Sequence, residues 1–185
     1  MAEYFKSNGI ICAVNDEEHL EAALKSKHNT IFLLNADINT VADVVRRCHE
    51  CDKNVFIHLD LAVGIARDEA GIKFIAEHIR PEGILSTKFN SVRMAIECGL
   101  IGIYRVFLVD SQSMETALAN IRRYAPCAVE IMPGVAYEAI NVLHKQVDVN
   151  VIAGGFIRTR KNVDDALAAG ARACSTTNMD LWDME

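Results

Sequence analysis

One pattern recurs eight times along the chain and limits what it can fold into: an apolar run, a polar or glycine junction, a segment of helical period, then a short connection. The apolar runs cover 10–14, 30–34, 55–59, 83–86, 103–107, 128–132, 149–153 and 171–175. Short, continuous apolar runs of this kind read as strands buried on both faces. Between them, Val41, Val44, Val45 and Cys48 fall at the i, i+3, i+4, i+7 positions of one helix face. Ile72, Ile75, Ala76 and Ile79 repeat the spacing, as do Met114, Ala117, Leu118 and Ile121, so amphipathic helices cover a sheet. Local punctuation agrees. Asn15 before Asp16, Glu17 and Glu18 supplies a cap and negative charge at a helix start, and Gly99 and Gly170 suit helix ends.

Buried strands alternating with helices run parallel and are joined by right-handed crossovers. Eight units in 185 residues leave about 23 residues each, close to the minimum for a strand, a helix and two short connections. The expected fold class is therefore α/β, a compact (β/α)8 TIM-barrel-like arrangement of parallel strands with short loops, set against an open doubly wound sheet. The barrel is favoured because a row of hydroxyls ends the last strand, which only a closed sheet sets beside the first. No linker, charge block or low-complexity stretch divides the sequence, so residues 1–185 are expected to form a single domain.

Composition removes several function classes. With 51% hydrophobic and 24% charged residues and a formal charge of −6, the chain is neither disordered nor a general nucleic-acid coat. No apolar run approaches the roughly 18 residues of a bilayer span, and Met1–Lys6 lacks the features of a signal peptide. A cytoplasmic protein with no membrane partner is expected. The six cysteines sit mostly in apolar contexts and read as buried thiols. Cys48-His49-Glu50-Cys51 has redox or metal spacing, but it falls at a helix end, where unpaired carbonyls disfavour a thiolate. No second pair completes a zinc site, and no metal or cofactor is expected.

The binding face of either topology lies at the carboxyl ends of the strands. There the seventh strand ends in Gly154-Gly155 and the eighth in Ser175-Thr176-Thr177. Glycines let main-chain N–H groups approach an anion closely, so two neighbouring strand ends of this kind suggest a phosphate cradle. His58 and Asp60 end the third strand, on one face by the period of two. Lys88 follows the fourth strand, Arg105 lies on the fifth, Glu130 on the sixth, and Pro133-Gly134 follow it. A lysine at a strand end should meet an anion. Arg105 and Glu130, about equally deep on adjacent strands, could simply neutralise each other. The set suits a small polar monophosphate, its hydroxyls bonded by carboxylates and imidazole.

At these residues the sequence resembles a known family. His58-Leu59-Asp60-Leu61, Gly83 to Lys88, Arg105 to Asp110, Glu130-Ile131-Met132-Pro133-Gly134, Ala153 to Thr159, and Ser175 to Asn178 with Leu181-Trp182 occur in order. Together they are similar to the glycerol uptake operon antiterminator family, the glycerol 3-phosphate-responsive regulators. The resemblance runs from about the first strand to Trp182 and implies a small (β/α)8-like protein that binds glycerol 3-phosphate. It further implies a partner in the leader mRNA of glycerol-utilisation genes, whose termination the protein would prevent and whose transcript it would stabilise.

RNA affinity needs cations that displace counterions. Arg158, Arg160 and Lys161 directly follow the Gly-Gly turn and are the candidate RNA-binding residues. Arg46, Arg47 and Lys53 form a second cluster, and Arg122, Arg123 and Tyr124 a third; solvated helix surface is the ordinary reading of each. The alternative function is an aldolase or isomerase acting on a sugar or triose phosphate, with Lys88 as Schiff-base lysine or His58 and Asp60 as base and orienter. A homodimer is the default assembly for such a barrel.

Overall fold

A computed structural model describes residues 4–5 and 9–183. Eight parallel strands close into a barrel in chain order, β8 pairing with β1 through Ile11 and Ser175. That closure decides against the open sheet. The strands are β1 Ile10–Val14, β2 Thr30–Leu33, β3 Asn54–His58, β4 Gly83–Ser86, β5 Ile101–Phe107, β6 Ala128–Met132, β7 Asn150–Gly154 and β8 Ala173–Thr176. Seven helices alternate with them: α1 Glu17–Lys25, α2 Val41–Glu50, α3 Glu69–Phe74, α4 Phe89–Glu97, α5 Ser111–Tyr124, α6 Tyr137–Gln146 and α7 Arg160–Ala168. Wider i→i+5 turns extend α3 through Ile79. None of the described helices is long and apolar enough to cross a membrane.

Two apolar layers follow from the period of two. Inward-facing Ile11, Phe32, Phe56, Leu85, Ile103, Ala128, Ile152 and Ala173 fill the barrel. The alternate residues, such as Ile57, Ile84, Val129 and Val151, pack beneath the helices. Tyr4 and Phe5 close the amino end: Phe5 stacks on Phe56 at 6.0 Å, and Tyr4 meets the same ring edge-on at 6.1 Å. The apolar filling therefore seals the amino end and the middle of the barrel. The charged inward positions of the strands, Arg105 and Glu130, lie toward the carboxyl end, whereas at the amino end the Thr30 hydroxyl bonds the Tyr4 carbonyl.

Local chemistry sets the helix starts with one correction. Asp16, not Asn15, caps α1, its carboxylate accepting the His19 N–H at 2.9 Å. Gly99 and Gly170 take left-handed φ values of 84° and 106° after α4 and α7, as helix ends require. Cys48 is buried and Cys51 exposed, and both are free thiols. Burial pushes the Cys12 and Cys48 thiols up to about 11 and Cys174 to about 12, which leaves these thiols unreactive at neutral pH.

Candidate functional site

Across the carboxyl mouth of the barrel lies a chain of mutually committed polar groups. Arg105 and Glu130 are register partners on β5 and β6, and the Arg105 Nε donates to the Glu130 carboxylate. Glu130 is fully buried and also accepts from the Ser175 hydroxyl. The other end of Arg105 faces His58, with Nη1 3.4 Å from the imidazole Nε2. His58 Nε2 in turn lies 3.6 Å from Asp60 Oδ2. Asp60 accepts from the Ser86 hydroxyl at 2.8 Å and the Thr87 N–H at 2.6 Å. Burial pushes the Asp60 carboxyl up, but bonds from His58, Thr87 and Ser86 outweigh it and hold it well below the usual carboxylate range.

The juxtaposition of His58 and Asp60 has a different origin from the one expected. The strand ends at His58, and residues 59–61 form a single 3-10 turn. It is this turn, not strand alternation, that folds Asp60 back. The loop behind it is the longest on this face, residues 59–68, and it bridges to the loop after β2 through Asp37 and Val63.

Beside this network the β7–β8 corner opens into a pocket of about 580 Å³. Gly155, Arg158, Ser175, Thr176 and Thr177 line it, with Arg105 at its inner edge. Gly155 and Phe156 take successive positive φ values of 75° and 59°. The second is costly for a residue with a side chain and marks a constrained turn. Gly154 is needed for packing: a Cβ there would fall on the Glu130 carboxylate and lie 2.8 Å from the Ser175 hydroxyl. Gly134 packs against the same turn, where a Cβ would come within 2.8 Å of the Gly154 nitrogen, and its N–H reaches the Gly155 carbonyl at 3.0 Å. Gly134, which follows Pro133, and Gly154 thus shape the turn from behind, while Gly155 faces the pocket.

The hydrogen-bond accounting at this corner separates spent groups from open ones. Ser175 gives its proton to Glu130. Thr176 donates to the Ile157 carbonyl at 2.7 Å and accepts the Asn178 N–H at 3.0 Å. Two of the three hydroxyls expected to serve a ligand are therefore committed, and Thr177 is the exposed one. Asn162 closes a capping box with Thr159 and accepts the Arg158 and Thr159 N–H groups. Among the described residues, the N–H groups of Gly155, Phe156, Ile157 and Thr177 have no protein acceptor. Arg158 is exposed in the pocket wall, with its guanidinium 5.5 Å from the centre of the Phe156 ring. It makes no ion pair among the described residues. A left-handed turn with open N–H groups, a helix N-terminus behind it and an uncommitted guanidinium together have the chemistry of an anion site.

Other expected residues stand apart from this pocket. Lys88 is exposed at the entry to α4, and its N–H bonds the Ser86 hydroxyl at 3.0 Å. It is therefore a rim residue, outside the pocket lining. Arg160 pairs with Asp164 at 2.9 Å and Lys161 with Asp165 at 2.7 Å, both one turn along α7. Arg46 and Arg47 are paired with acidic residues of α1 and α2, and Lys53 is buried with its ammonium on the Ser26 and His28 carbonyls. Sequence reasoning placed Arg158 only among RNA candidates. The signal that could have put it in the pocket was a cation between the Gly-Gly turn and the Thr159 cap. Phe156, Ile157, Asn178, Met132, Ala13 and Leu34 complete the lining, and none of them was among the expected ligand residues.

The family model for the glycerol-3-phosphate responsive antiterminator matches residues 10–182. The chain belongs to that family. A solved structure of the glycerol uptake operon antiterminator regulatory protein from Listeria monocytogenes superimposes with a TM-score of 0.93, at 29% identity over 98% of each chain. A glycerol uptake operon antiterminator-related protein from Thermotoga maritima gives 0.85 at 25% identity, covering 95% of this chain and 98% of that one. The protein YgcP of Escherichia coli is 31% identical over 97% of this chain and 94% of its own length. The antiterminator match begins at the first residue of β1 and ends at Trp182. Trp182 is buried and its indole N–H bonds the Thr176 carbonyl at 3.1 Å, so the matched region extends to the residue that anchors the end of β8.

Proposed function

We propose that this antiterminator-family chain senses glycerol 3-phosphate at the β7–β8 corner and acts on the leader RNA of glycerol-utilisation genes. The observation that carries the reading is the set of N–H groups of Gly155, Phe156, Ile157 and Thr177 beside Arg158, which among the described residues lack a protein acceptor and an ion-pair partner respectively. A phosphate dianion would take those donors and the Arg158 guanidinium. Charge placement supports the same corner. Four of the described helices carry Asp or Glu in the first turn, as the macrodipole favours, but α7 opens with Arg160 and Lys161. Cations there oppose the dipole, and a bound anion would offset that cost.

The glycerol moiety would point inward, toward Arg105 and Asn178. Glu130 and His58 then act on Arg105, holding its guanidinium at the pocket edge, while Asp60 orients His58. Lys88 would add positive potential at the rim. The aldolase or isomerase reading draws nothing from Lys88, because a Schiff-base lysine needs desolvation or an adjacent cation and this one is exposed. Effector binding would favour the RNA-competent state in proportion to its affinity difference between the two states.

A thermal-shift series tests the effector site. Glycerol 3-phosphate at about 100 times its dissociation constant stabilises by about 2.7 kcal/mol, and the expected response exceeds that to glycerol or inorganic phosphate. No response to glycerol 3-phosphate over millimolar concentrations removes the reading.

A further inference from the structure

We infer that the RNA partner docks on the amino end of the barrel, opposite the effector mouth, on a rim built by the last turns of α5 and α6 and the start of β8. The inference rests on the RNA-binding reading above and supplies the face that it lacks. It starts from the rule that charges follow the helix dipole. Carboxylates gather in first turns at the mouth, as Glu17, Asp43, Glu69 and Glu138 do. Cations gather in last turns at the opposite end. A chain of net charge −6 is thereby electrically polar, and a polyanion is repelled from one end and admitted at the other.

Most cations at the amino end are already spent, and one group is not. Arg122 and Arg123 end α5, Lys145 lies in the last turn of α6, and Arg172 directly precedes β8. All four are exposed, and none forms an ion pair among the described residues. The three elements are contiguous. Arg122 donates to Gln146 on α6 at 3.0 Å, and His144 packs so closely on Gly170 that a Cβ there would meet its ring at 2.5 Å. Beside these cations, between the α5–β6 and α6–β7 connections, lies a groove of about 440 Å³ whose lining carries one carboxylate, Asp148. Tyr124, partly exposed, lies under the Arg123 guanidinium at 4.9 Å. An arginine stacked on an aromatic ring is a platform for an unpaired base.

The arrangement also shortens the path between effector and RNA. From Thr177 in the pocket to Arg172 on the rim is five strand rises, about 16 Å. A shift of β8 on effector binding would therefore move both ends. The cations beside the Gly-Gly turn would serve the effector and not the RNA.

The test compares wild type with two variants, R123A/K145A/R172A on the rim and R160A/K161A on α7, against a transcribed glycerol-uptake leader RNA across a salt series. Each phosphate contact to single-stranded nucleic acid contributes about 0.7 to the slope of log affinity against log salt. The rim variant is expected to lose affinity at least tenfold at about 0.1 M salt and to lower the slope by about 2, with an unchanged thermal response to glycerol 3-phosphate. A lysine-for-arginine version of the two arginine positions, with Lys145 intact, should keep the slope. An unchanged slope in the rim variant, or an equal loss in the α7 variant, overturns the docking face while leaving RNA binding intact. Absence of wild-type binding at any salt, with and without glycerol 3-phosphate, overturns the RNA reading itself and the docking face with it.

Discussion

Two halves of the barrel mouth use the same kinds of residue to opposite ends. On the β3–β6 side the inward polar groups close on one another: Asp60 on His58, His58 on Arg105, Arg105 on Glu130, and Glu130 on Ser175 of β8. On the β7–β8 side the main chain turns through two positive φ values and, among the described residues, leaves four N–H groups without a protein acceptor and the Arg158 guanidinium without an ion-pair partner. Groups that satisfy one another stabilise the fold and are costly to separate. Donors left open at a pocket reached by solvent cost little, because water can satisfy them in the absence of an anion. Under the proposed function, stability belongs to one half and effector binding to the other. It can be broken by variants that cross the boundary.

The largest effect is expected at Arg105. Glu130 is fully buried, so Arg105→Ala leaves an uncompensated carboxylate in the barrel and should cost about 3–5 kcal/mol of unfolding free energy. Denaturant melts measure it. A loss below about 1 kcal/mol would show that the pair is not closed, and that Arg105 belongs functionally to the open side.

Arg158→Ala is the mirror case. The side chain is exposed and makes no ion pair among the described residues, so stability should change by no more than about 0.5 kcal/mol. If it meets the phosphate, the lost charge-assisted bond is worth about 1.5–3 kcal/mol, or about 10- to 150-fold in glycerol 3-phosphate affinity by calorimetry. Destabilisation without an affinity change would reverse its assignment. Gly154→Ala probes the seam between the halves. The added methyl group has no room beside Glu130 and Ser175, and overpacking of that kind costs about 1–3 kcal/mol. Because Glu130 must shift away from Arg105 to admit it, stability and effector affinity should fall together; a loss confined to one would show the seam is not shared.

The same contrast explains what was legible in the sequence. Strands were readable to within two residues at each end, because a strand covered on both faces must be apolar throughout. Register was readable too: Arg105 and Glu130 were placed level on neighbouring strands, as they are. What escaped were consequences of chain turns, which carry no period. A strand template carried Asp60 past the strand end, but a 3-10 turn places it beside His58. Lys88 was expected to meet an anion from its position after an apolar strand; that a helix begins immediately after it and leaves its side chain exposed at the rim carried no signal. The hydroxyl row was seen as a set of donors. That Ser175 and Thr176 are consumed by Glu130 and by the Ile157 carbonyl depends on neighbours 45 and 19 residues away in sequence. Tyr4 and Phe5 precede any recognisable element, so nothing local announced that they plug the barrel.

The smallest effect concerns Asp60 and depends on pH. Its carboxyl is held below the ordinary range by the His58, Thr87 and Ser86 bonds, whereas in the unfolded chain it titrates near pH 3.9, as a free Asp does. A depressed folded-state value means the unfolded state binds the proton first as pH falls. The stabilisation is therefore complete above about pH 4 and is lost progressively below it, as pH moves toward the folded-state value. One such group contributes at most about 1.4 kcal/mol per pH unit to the slope. Asp60→Asn removes that titration while keeping an acceptor for Thr87 and Ser86. Its unfolding free energy between pH 4 and pH 2 should consequently fall less steeply than that of the wild type, by up to that slope. Parallel acid limbs for the two proteins would mean that Asp60 is not held by the closed network, and the boundary between the two halves of the mouth would move from β6 toward β3.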